Sequence, residues 1–236
     1  MKIYGKRSVL ERIRVNPGTI KKIYLQKRVD LSEIVKALKE KCISFESVDN
    51  EWIKTKCGEV NVQGVVAEVS LFEYASFSQI IKECSTGASI PVFIDSITDP
   101  QNLGSIIRNV ACLGGFSIVL PEHRSVCVNE TVLRVACGGE NYLKISKVTN
   151  LAGAVRQAKE KGVMMIGADV QGHEDVSKIR TDIPIGVVIG SEGKGIRPGL
   201  AKLLDVKAVL PMHGAPLSYN AAVAATLFCY EVRRNR

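Results

Sequence analysis

The 236-residue sequence has few of the features of a secreted, membrane-bound or metal-dependent protein. No apolar run approaches the roughly 18 residues of a membrane span, and the first residues lack the apolar stretch of a secretory signal. The three histidines, at 123, 173 and 213, lie far apart and lack the spacing of metal ligands. We therefore expect no membrane segment and no metal.

The cysteines do not form a recognisable framework. The seven residues stand at positions 42, 57, 84, 112, 127, 137 and 229, so the count is odd and no C-x-x-C pair occurs. This pattern argues against a zinc site or a set of disulfides. It favours reduced, mostly buried thiols, and we expect a cytoplasmic protein.

Acidic residues are scarce at the start of the chain. The net charge is +8, and the first 30 residues hold nine lysines and arginines against Glu11 and Asp30, a local charge of +7. Such a concentration of positive charge favours a polyanionic partner such as RNA. A basic surface that merely keeps the protein in solution is the alternative.

The first 75 residues read as a small α/β unit. Serine-rich residues 76–90 follow, which we interpret as a linker that includes a short helix at 77–84. We therefore place one domain at residues 1–75 and a second at 91–236. In the first domain the periodicity predicts helices at 6–13 and 31–41 and strands at 22–26, 43–48 and 64–69.

From residue 91 onward, short apolar strands alternate regularly with amphipathic helices. This order predicts a mostly parallel sheet with helices on both faces, whose ligands bind at the carboxyl ends of the strands. The predicted strands are 91–95, 116–121, 142–145, 163–168, 185–190 and 206–210. The predicted helices are 103–113, 130–136, 151–161, 198–203 and 219–233.

The first loop of this domain, 95–104, leads into a helix. Asn102 stands where a helix N-cap is expected. Gly104 and Arg108 are four residues apart and share one face, so that Gly104 permits another backbone to come close and Arg108 adds a permanent charge. The alternative is an ordinary capped helix with a surface arginine.

The second loop, 189–197, places three glycines after a strongly apolar strand. It matches neither the P-loop nor the dinucleotide-binding pattern, and it follows about the fifth strand of the domain instead of the first. Glycines permit close contact with a ligand. A tight turn without a ligand is the alternative.

The third loop, 210–220, precedes a helix that begins with small residues. Ser218 is a suitable N-cap, and the alanines and Val223 at 221–225 let that helix pack closely against a neighbour. A capped core helix without a ligand is the alternative interpretation.

Taken together, the three loops resemble the SpoU/TrmH family of S-adenosylmethionine (SAM)-dependent RNA ribose 2′-O-methyltransferases. The matching motifs are D-P-x-N-L-G-x-x-x-R at 99–108, I-G-S-E-G-x-G at 189–195, and L-P-M-x-G…S-x-N-x-x-V-A at 210–224. The first domain resembles the substrate-binding domain of some members, through Tyr4-Gly5 and the segment 63–67. The whole chain is most similar to large-subunit ribosomal RNA guanosine methyltransferases.

This resemblance implies a trefoil knot in the C-terminal segment and a homodimer with its active site near the subunit interface. We expect Arg108, the activator proposed for the family, to reach the pocket where the glycine turns wrap SAM. Many members have Leu where this chain has Tyr219, which changes a wall of that pocket. The positions that match the family's catalytic residues are Asn102, Arg108, Glu192, Ser218 and Asn220. The positions that match SAM contacts are Gly190, Leu210, Met212 and Tyr219.

The expected function is methyl transfer from SAM to a ribose 2′-hydroxyl of RNA, with a guanosine of 23S ribosomal RNA as the target and no metal. Three alternatives remain. The same reaction could act on transfer RNA, although minimal transfer-RNA members often lack the extra domain. The chain could instead be a non-catalytic RNA-binding protein, although all five polar site positions carry the expected residue types. A flavodoxin-like nucleotide binder would need a phosphate loop after the first strand, where 95–101 is acidic and not rich in glycine.

Overall fold

The computed structural model describes residues 1–215 and 217–236; Pro216, within the third motif, lies outside the described residues. The chain forms two sheets in succession. The helices are α1 (Lys6–Val15), α2 (Ser32–Glu40), α3 (Asn50–Cys57), α4 (Phe77–Ser85), α5 (Pro100–Leu113), α6 (Glu130–Ala136), α7 (Leu151–Glu160), α8 (Pro198–Ala201) and α9 (Ala221–Arg234). The strands are β1 (Lys2–Tyr4), β2 (Ile20–Gln26), β3 (Glu46–Val48), β4 (Val65–Val69), β5 (Ile90–Ile94), β6 (Phe116–Pro121), β7 (Lys144–Val148), β8 (Met164–Ala168), β9 (Glu174–Asp175), β10 (Ile185–Ile189) and β11 (Val206–Val209).

The first sheet has the order β1-β4-β2-β3. Strand β4 runs antiparallel to β1 and β2, whereas β2 and β3 are parallel. Apolar residues of α1 and α2, among them Ile13 and Leu38, cover one face. Helix α3 covers the other with Ile53; the sequence pattern did not predict this short helix, although Asp49 caps it by accepting a bond from the Trp52 N–H at 2.8 Å.

The second sheet has the order β7-β6-β5-β10-β8-β11-β9, and its neighbouring strands are parallel. Along β5, Val92 and Ile94 lie in the core that contains α5 and α9, whereas Phe93 lies in the core that contains α4 and α7. Side chains alternate between the faces of a strand, so this division requires helices on both sides of the sheet. The predicted fold class is confirmed.

The strand order explains how distant loops come together. Strand β10 lies between β5 and β8, and β11 lies between β8 and β9. Each of these two strands is therefore inserted between two strands that precede it in the sequence. The loops after β5, β8, β10 and β11 therefore leave from adjacent strands at one edge. The three motifs of the sequence lie in the loops after β5, β10 and β11.

Two predicted helix caps are wrong. Helix α5 begins two residues before Asn102, because Pro100 occupies the first helical position and Asp99 accepts a bond from the Gln101 N–H at 2.9 Å. Asn220, not Ser218, caps α9. Both asparagines therefore lie at or near the start of a helix, with their side-chain nitrogens free to bind across the site.

Gly104 has the structural role expected from the sequence. A Cβ atom at this position would lie 2.6 Å from Cβ of Val135 and 2.9 Å from the carbonyl oxygen of Val132, which are on or next to α6. Only glycine permits this approach of α5 to α6. The close packing fixes α5, and with it both Asn102 and Arg108.

The chain passes from the first sheet to the second between β4 and β5, and the division into residues 1–75 and 91–236 stays a prediction. Between them, α4 buries Ile80, Ile81 and Cys84 in the core of the second sheet. The domains also contact each other directly, since Arg12 of α1 forms a buried ion pair with Glu140 at 2.9 Å. Within the described residues, no helix combines the length and apolar character needed to cross a membrane.

Candidate active site

Three of the predicted site residues meet in one hydrogen-bonded cluster. Oε1 of Glu192 accepts bonds from the side-chain nitrogens of Asn102, at 3.2 Å, and of Asn220. The same oxygen accepts the N–H of Ala221 at 3.0 Å, and Asn220 also donates to Oδ1 of Asn102 at 2.9 Å. This cluster joins the loop after β10 to the starts of α5 and α9, so the three motifs form one site.

The loop after β10 folds into a closed turn that requires glycine at its base. A Cβ at Gly190 would lie 2.2 Å from the carbonyl carbon of Gly195. Ser191 and Gly195 exchange backbone bonds of 3.2 and 2.9 Å across the turn. The turn therefore presents backbone groups, with little side-chain bulk, toward the space beside it.

An ion pair that the sequence interpretation missed holds this turn in place. The carboxylate of Asp95, fully buried at the end of β5, accepts bonds from the backbone N–H of Arg197 at 2.8 Å and from its Nε at 2.6 Å. A charged residue directly after an apolar strand was the available signal. Asp95 thus fixes the end of the glycine turn to the strand that leads into the first motif.

Two adjoining cavities, of about 220 and 80 Å³, open beside the cluster. Gly190 and Glu192 line the larger cavity, and Leu210 and Met212 line the smaller one. Ser218 and Tyr219 line both. Residues 168–170, which follow β8, also line both cavities, and sequence reasoning did not single them out.

The walls of these cavities suit a ligand that is apolar at one end and cationic at the other. Leu210, Met212 and Phe228 provide an apolar surface for a flat ring. The carboxylates of Asp169 and Glu192 lie in the walls of the larger cavity, where they attract positive charge. Among residues 1–215 and 217–236, no group of three or more His, Cys, Asp or Glu is placed to hold a metal ion.

Arg108 lines neither of these two cavities. The expectation that it reaches the pocket of the glycine turn of its own chain is therefore wrong. Its guanidinium donates to Sγ of Cys137 at 3.6 Å, and it lines a separate cavity of about 330 Å³ between the two domains. The reason is helical geometry. Arg108 follows Asn102 by six residues, which is about 9 Å along the axis and about one and two-thirds turns, so the two side chains point about 120° apart.

The basic start of the chain is partly neutralised within the fold. Arg12 is buried against Glu140, Arg14 binds Glu33 at 2.9 Å, and Lys22 pairs with an acidic neighbour at 2.7 Å. The exposed side chains of Lys21, Lys27 and Arg28 retain the positive surface that the sequence predicted. The attraction for a polyanion therefore rests on fewer charges than the composition indicates.

The cysteines are free but less buried than expected. Cys42, Cys112 and Cys127 are exposed, and only Cys84 and Cys229 of the seven are buried. Burial raises the pKa of the Cys84 thiol to about 11 and that of Cys229 to about 12. These two thiols stay protonated near neutral pH and are not nucleophiles.

Comparison with known proteins gives matches along nearly the whole chain. Residues 89–230 match the SpoU rRNA Methylase family, and residues 2–75 match the domain described as "RNA 2'-O ribose methyltransferase substrate binding". The chain is 34% identical over 239 residues to the "Putative TrmH family tRNA/rRNA methyltransferase" of Staphylococcus haemolyticus (strain JCSC1435), covering 99% of this chain and 95% of that protein. It is 32% identical over 238 residues to the corresponding protein YacO of Bacillus subtilis (strain 168), with the same coverage of 99% and 95%.

Among solved structures, the fold resembles that of the SpoU methyltransferase AviRb from Streptomyces viridochromogenes, whose structure was determined in complex with the cofactor AdoMet. The TM-score is 0.83 at 21% sequence identity, over 100% of this chain and 90% of that chain. The knotted α/β fold expected from the motifs is the fold of these methyltransferases. The fold prediction therefore holds for both domains.

Proposed function

The chain belongs to the SpoU rRNA methylase family, and on that premise we propose that it transfers a methyl group from SAM to a ribose 2′-hydroxyl of RNA. The match of residues 2–75 to a 2′-O-ribose methyltransferase substrate-binding domain supports both the substrate and the position methylated. The proposed target is ribosomal RNA, with a guanosine of 23S ribosomal RNA as the specific site. Transfer RNA is the second candidate, because the names of the curated relatives include both RNAs.

SAM fits the two adjoining cavities by the chemistry of their walls. The apolar surface of Leu210 and Met212 would hold the adenine ring, and backbone groups of the turn at Gly190 would contact the methionine part. Tyr219, a residue that is 44% exposed, would close the pocket from the third loop. When bound, SAM supplies an electrophilic methyl group on a sulfonium.

We infer that Arg108 acts on the SAM site of a second protomer. In its own chain it lines a different cavity from the glycine turn, yet it lies on α5, which packs beside α9. Val223, Leu227 and Tyr230 form an apolar stripe along α9 and are 44%, 37% and 50% exposed. Their spacing places them on one helical face, as in a helix that packs against a partner. A homodimer through this face would bring Arg108 of each protomer toward its partner's site.

The polar residues of the site have two roles, which are to position the nucleotide and to stabilise developing charge. The ribose 2′-hydroxyl is a poor nucleophile at neutral pH and must gain anionic character during transfer. A guanidinium is a poor general base, so the role of Arg108 is to stabilise the developing oxyanion or to hold the adjacent phosphate. Asn102, Ser218 and Asn220 orient the nucleotide. Glu192 fixes the two asparagines through its hydrogen bonds.

The first domain supplies a surface that suits RNA. A cleft of about 740 Å³ lies beside α3 and has the side chains of Gln26, Asn50, Asn61 and Gln63 in its walls, together with Lys54. Carboxamides read the edges of unpaired bases, and lysines bind phosphates. An RNA substrate and the free cysteines together support the proposed cytoplasmic location.

The observation that carries the proposal is the junction of the three motifs at Glu192. Its test uses isotopically labelled SAM and separate pools of ribosomal and transfer RNA, with the label mapped by resistance to alkaline cleavage. We expect label on ribosomal RNA at a bond that resists alkali. Label on transfer RNA alone would favour the second candidate, and SAM-independent RNA binding without label would identify a non-catalytic binding protein.

A further inference from the structure

The cavity that holds Arg108 is built by both domains. Arg7 and Glu11 of α1 form one wall, and Arg108 and Tyr142 of the second domain form the other. The cavity volume is about 330 Å³. The ring of Tyr142 is exposed, with 58% of the residue accessible, and the side chain of Arg7 is 68% exposed. An accessible aromatic ring and two accessible guanidinium groups therefore surround one space of a few hundred cubic ångströms.

Glu11 holds the side chains of Arg7 and Tyr142 in place through its carboxylate. Its side chain is only 7% exposed. Oε1 binds Nε of Arg7 at 3.2 Å and Nη1 of Arg14 at 3.3 Å, and Oε2 accepts the hydroxyl proton of Tyr142. The carboxylate thus links the first domain to Tyr142 and holds it by its hydroxyl, while 58% of that residue remains exposed.

The separation of the two walls is set by one buried and one part-buried contact next to the cavity. Arg12 pairs with Glu140 at 2.9 Å, and the side chain of Asn16 donates to Oδ1 of Asn141 at 2.9 Å. The turn that carries Glu140 lies directly on α5, because a Cβ at Gly139 would be 3.0 Å from Cα of Arg108. The cavity is therefore preformed, which lowers the cost of ordering a bound ligand.

We propose that this cavity binds the target nucleotide of the RNA, with its base stacked on Tyr142 and its phosphates held by Arg7 and Arg108. The inference rests on the proposed function, since it gives the substrate of that reaction a place beside the arginine that acts on it. Unpaired RNA bases stack on aromatic side chains, and arginines bind the flanking phosphates. Arg7 and Tyr142 are then substrate-binding residues, and Glu11 is a positioning residue.

This assignment gives the first domain a second role. It does not merely increase affinity for RNA through its basic surface. Through Arg7 and Glu11, it completes the binding site for the nucleotide that receives the methyl group. Removal of a single side chain at this junction should then affect productive binding of RNA while the binding of SAM is unchanged, because the cavities of the glycine turn do not include these residues.

The test compares two substitutions of Tyr142 in the full chain, with methyl transfer to transcribed ribosomal RNA as the readout. We expect Tyr142→Leu to lower kcat/KM for RNA about 10- to 100-fold, mainly through KM, because stacking is lost. Tyr142→Phe keeps the ring and should stay within about twofold of the parent. A purely structural role through the hydrogen bond to Glu11 would instead impair both variants alike, because Leu and Phe both lack the hydroxyl that makes this bond.

Matched controls separate local from general effects. Phe45→Leu alters another exposed aromatic residue, and Arg156→Ala removes an exposed arginine on α7 as a control for Arg7→Ala. We expect Arg7→Ala to lower kcat/KM for RNA about tenfold and both controls to leave it unchanged. SAM affinity, measured by calorimetry, should be the same in all variants.

Ultraviolet crosslinking of the same RNA, mapped by mass spectrometry, gives a readout that does not depend on turnover. We expect nucleotide adducts on the peptide that contains Tyr142. An active parent whose Tyr142→Leu and Arg7→Ala variants keep full kcat/KM, or adducts confined to other peptides, would overturn this inference alone. A parent that neither binds SAM nor methylates any RNA would instead refute the proposed function.

Discussion

The side-chain nitrogen of Asn220 donates a hydrogen bond of 2.9 Å to the amide oxygen of Asn102, which lies 118 residues earlier in the chain. Each asparagine lies at or near the start of its own helix, and Glu192 binds both. The contact connects the first and third motifs directly. It shows that one residue singled out in each of those motifs meets the other in space, and it ties the shape of the pocket to the junction between the loops.

Loss of the Glu192 carboxylate should weaken SAM binding. Glu192→Ala removes the acceptor that the N–H of Ala221 and two side-chain amides share. Hydrogen bonds to a charged group contribute roughly 1.5–3 kcal/mol. We expect the Kd for SAM, measured by calorimetry, to rise at least about tenfold, with Glu160→Ala as a control at an exposed glutamate. An unchanged Kd would mean that the junction does not shape the pocket.

The glycine turn offers a matched pair of substitutions. Gly190→Ala places a Cβ 2.2 Å from the backbone of Gly195 and must displace it, whereas Gly199→Ala meets nothing within 4 Å. Overpacking against backbone costs about 1–3 kcal/mol. We expect Gly190→Ala to reduce SAM affinity about tenfold or more and Gly199→Ala to leave it unchanged. Equal SAM affinity in the two variants would disprove the role given to the turn.

The sequence predicted the sheet well because its signals are local. Strands such as β5 and β10 are continuously apolar between polar loops, and β6 and α6 have the predicted bounds. The helix caps were misjudged because several capping residues stand close together, and Pro100 was the decisive local signal. The short helix α3 was missed because it buries a single side chain, Ile53, and has little apolar periodicity.

The position of Arg108 could not be predicted in the same way. Its motif spacing gives its place on α5, but the cavity that it faces is formed by α1 and by Tyr142. These parts belong to different domains, and their approach depends on tertiary contacts such as the Arg12–Glu140 pair. Motif spacing thus predicts candidate site residues, while the packing of the domains determines which cavity each one lines.

A charge on the exposed stripe of α9 should prevent dimer formation. Leu227→Glu places a carboxylate in the middle of the proposed interface, where burial without a partner is costly. We expect sedimentation to show a dimer for the parent and a monomer for the variant, with an increase in the dimer Kd of about 100-fold or more. Leu71→Glu, at a leucine that is 76% exposed, is the control and should remain dimeric. A monomeric parent would contradict the shared site.

The free energy of unfolding should depend on pH through Glu140 at the domain junction. Burial raises the pKa of this carboxyl above its usual value of 4.5, although Arg12 opposes the shift. The folded state therefore holds the proton more tightly than the unfolded state, and this contribution to stability is lost as pH rises through the folded pKa. Relative to Glu140→Gln, the parent should lose stability from about pH 4.5 upward, by at most about 1.4 kcal/mol per pH unit. Denaturant unfolding of both proteins at several pH values measures this; a constant difference would refute it.

Substitution of Arg108 should separate catalysis from cofactor binding. Arg108→Ala removes the charge that we propose stabilises the attacking oxygen, and loss of such a group costs about 10²–10³-fold in turnover. The glycine turn and Arg108 of one chain line different cavities, so SAM affinity should not change. Single-turnover methylation and calorimetry provide the two readouts. Normal methylation by this variant would show that the arginine has no part in the reaction.

The most direct measurement mixes two impaired variants at a SAM concentration that fills the parental pocket but not that of Gly190→Ala. Arg108→Ala keeps an intact SAM pocket, and Gly190→Ala keeps an intact Arg108. If Arg108 serves the partner's pocket, random exchange of subunits makes half of the dimers mixed, each with one complete site, and restores about a quarter of the parental activity. No recovery, with mixed dimers present by native mass spectrometry, would contradict a site shared between protomers.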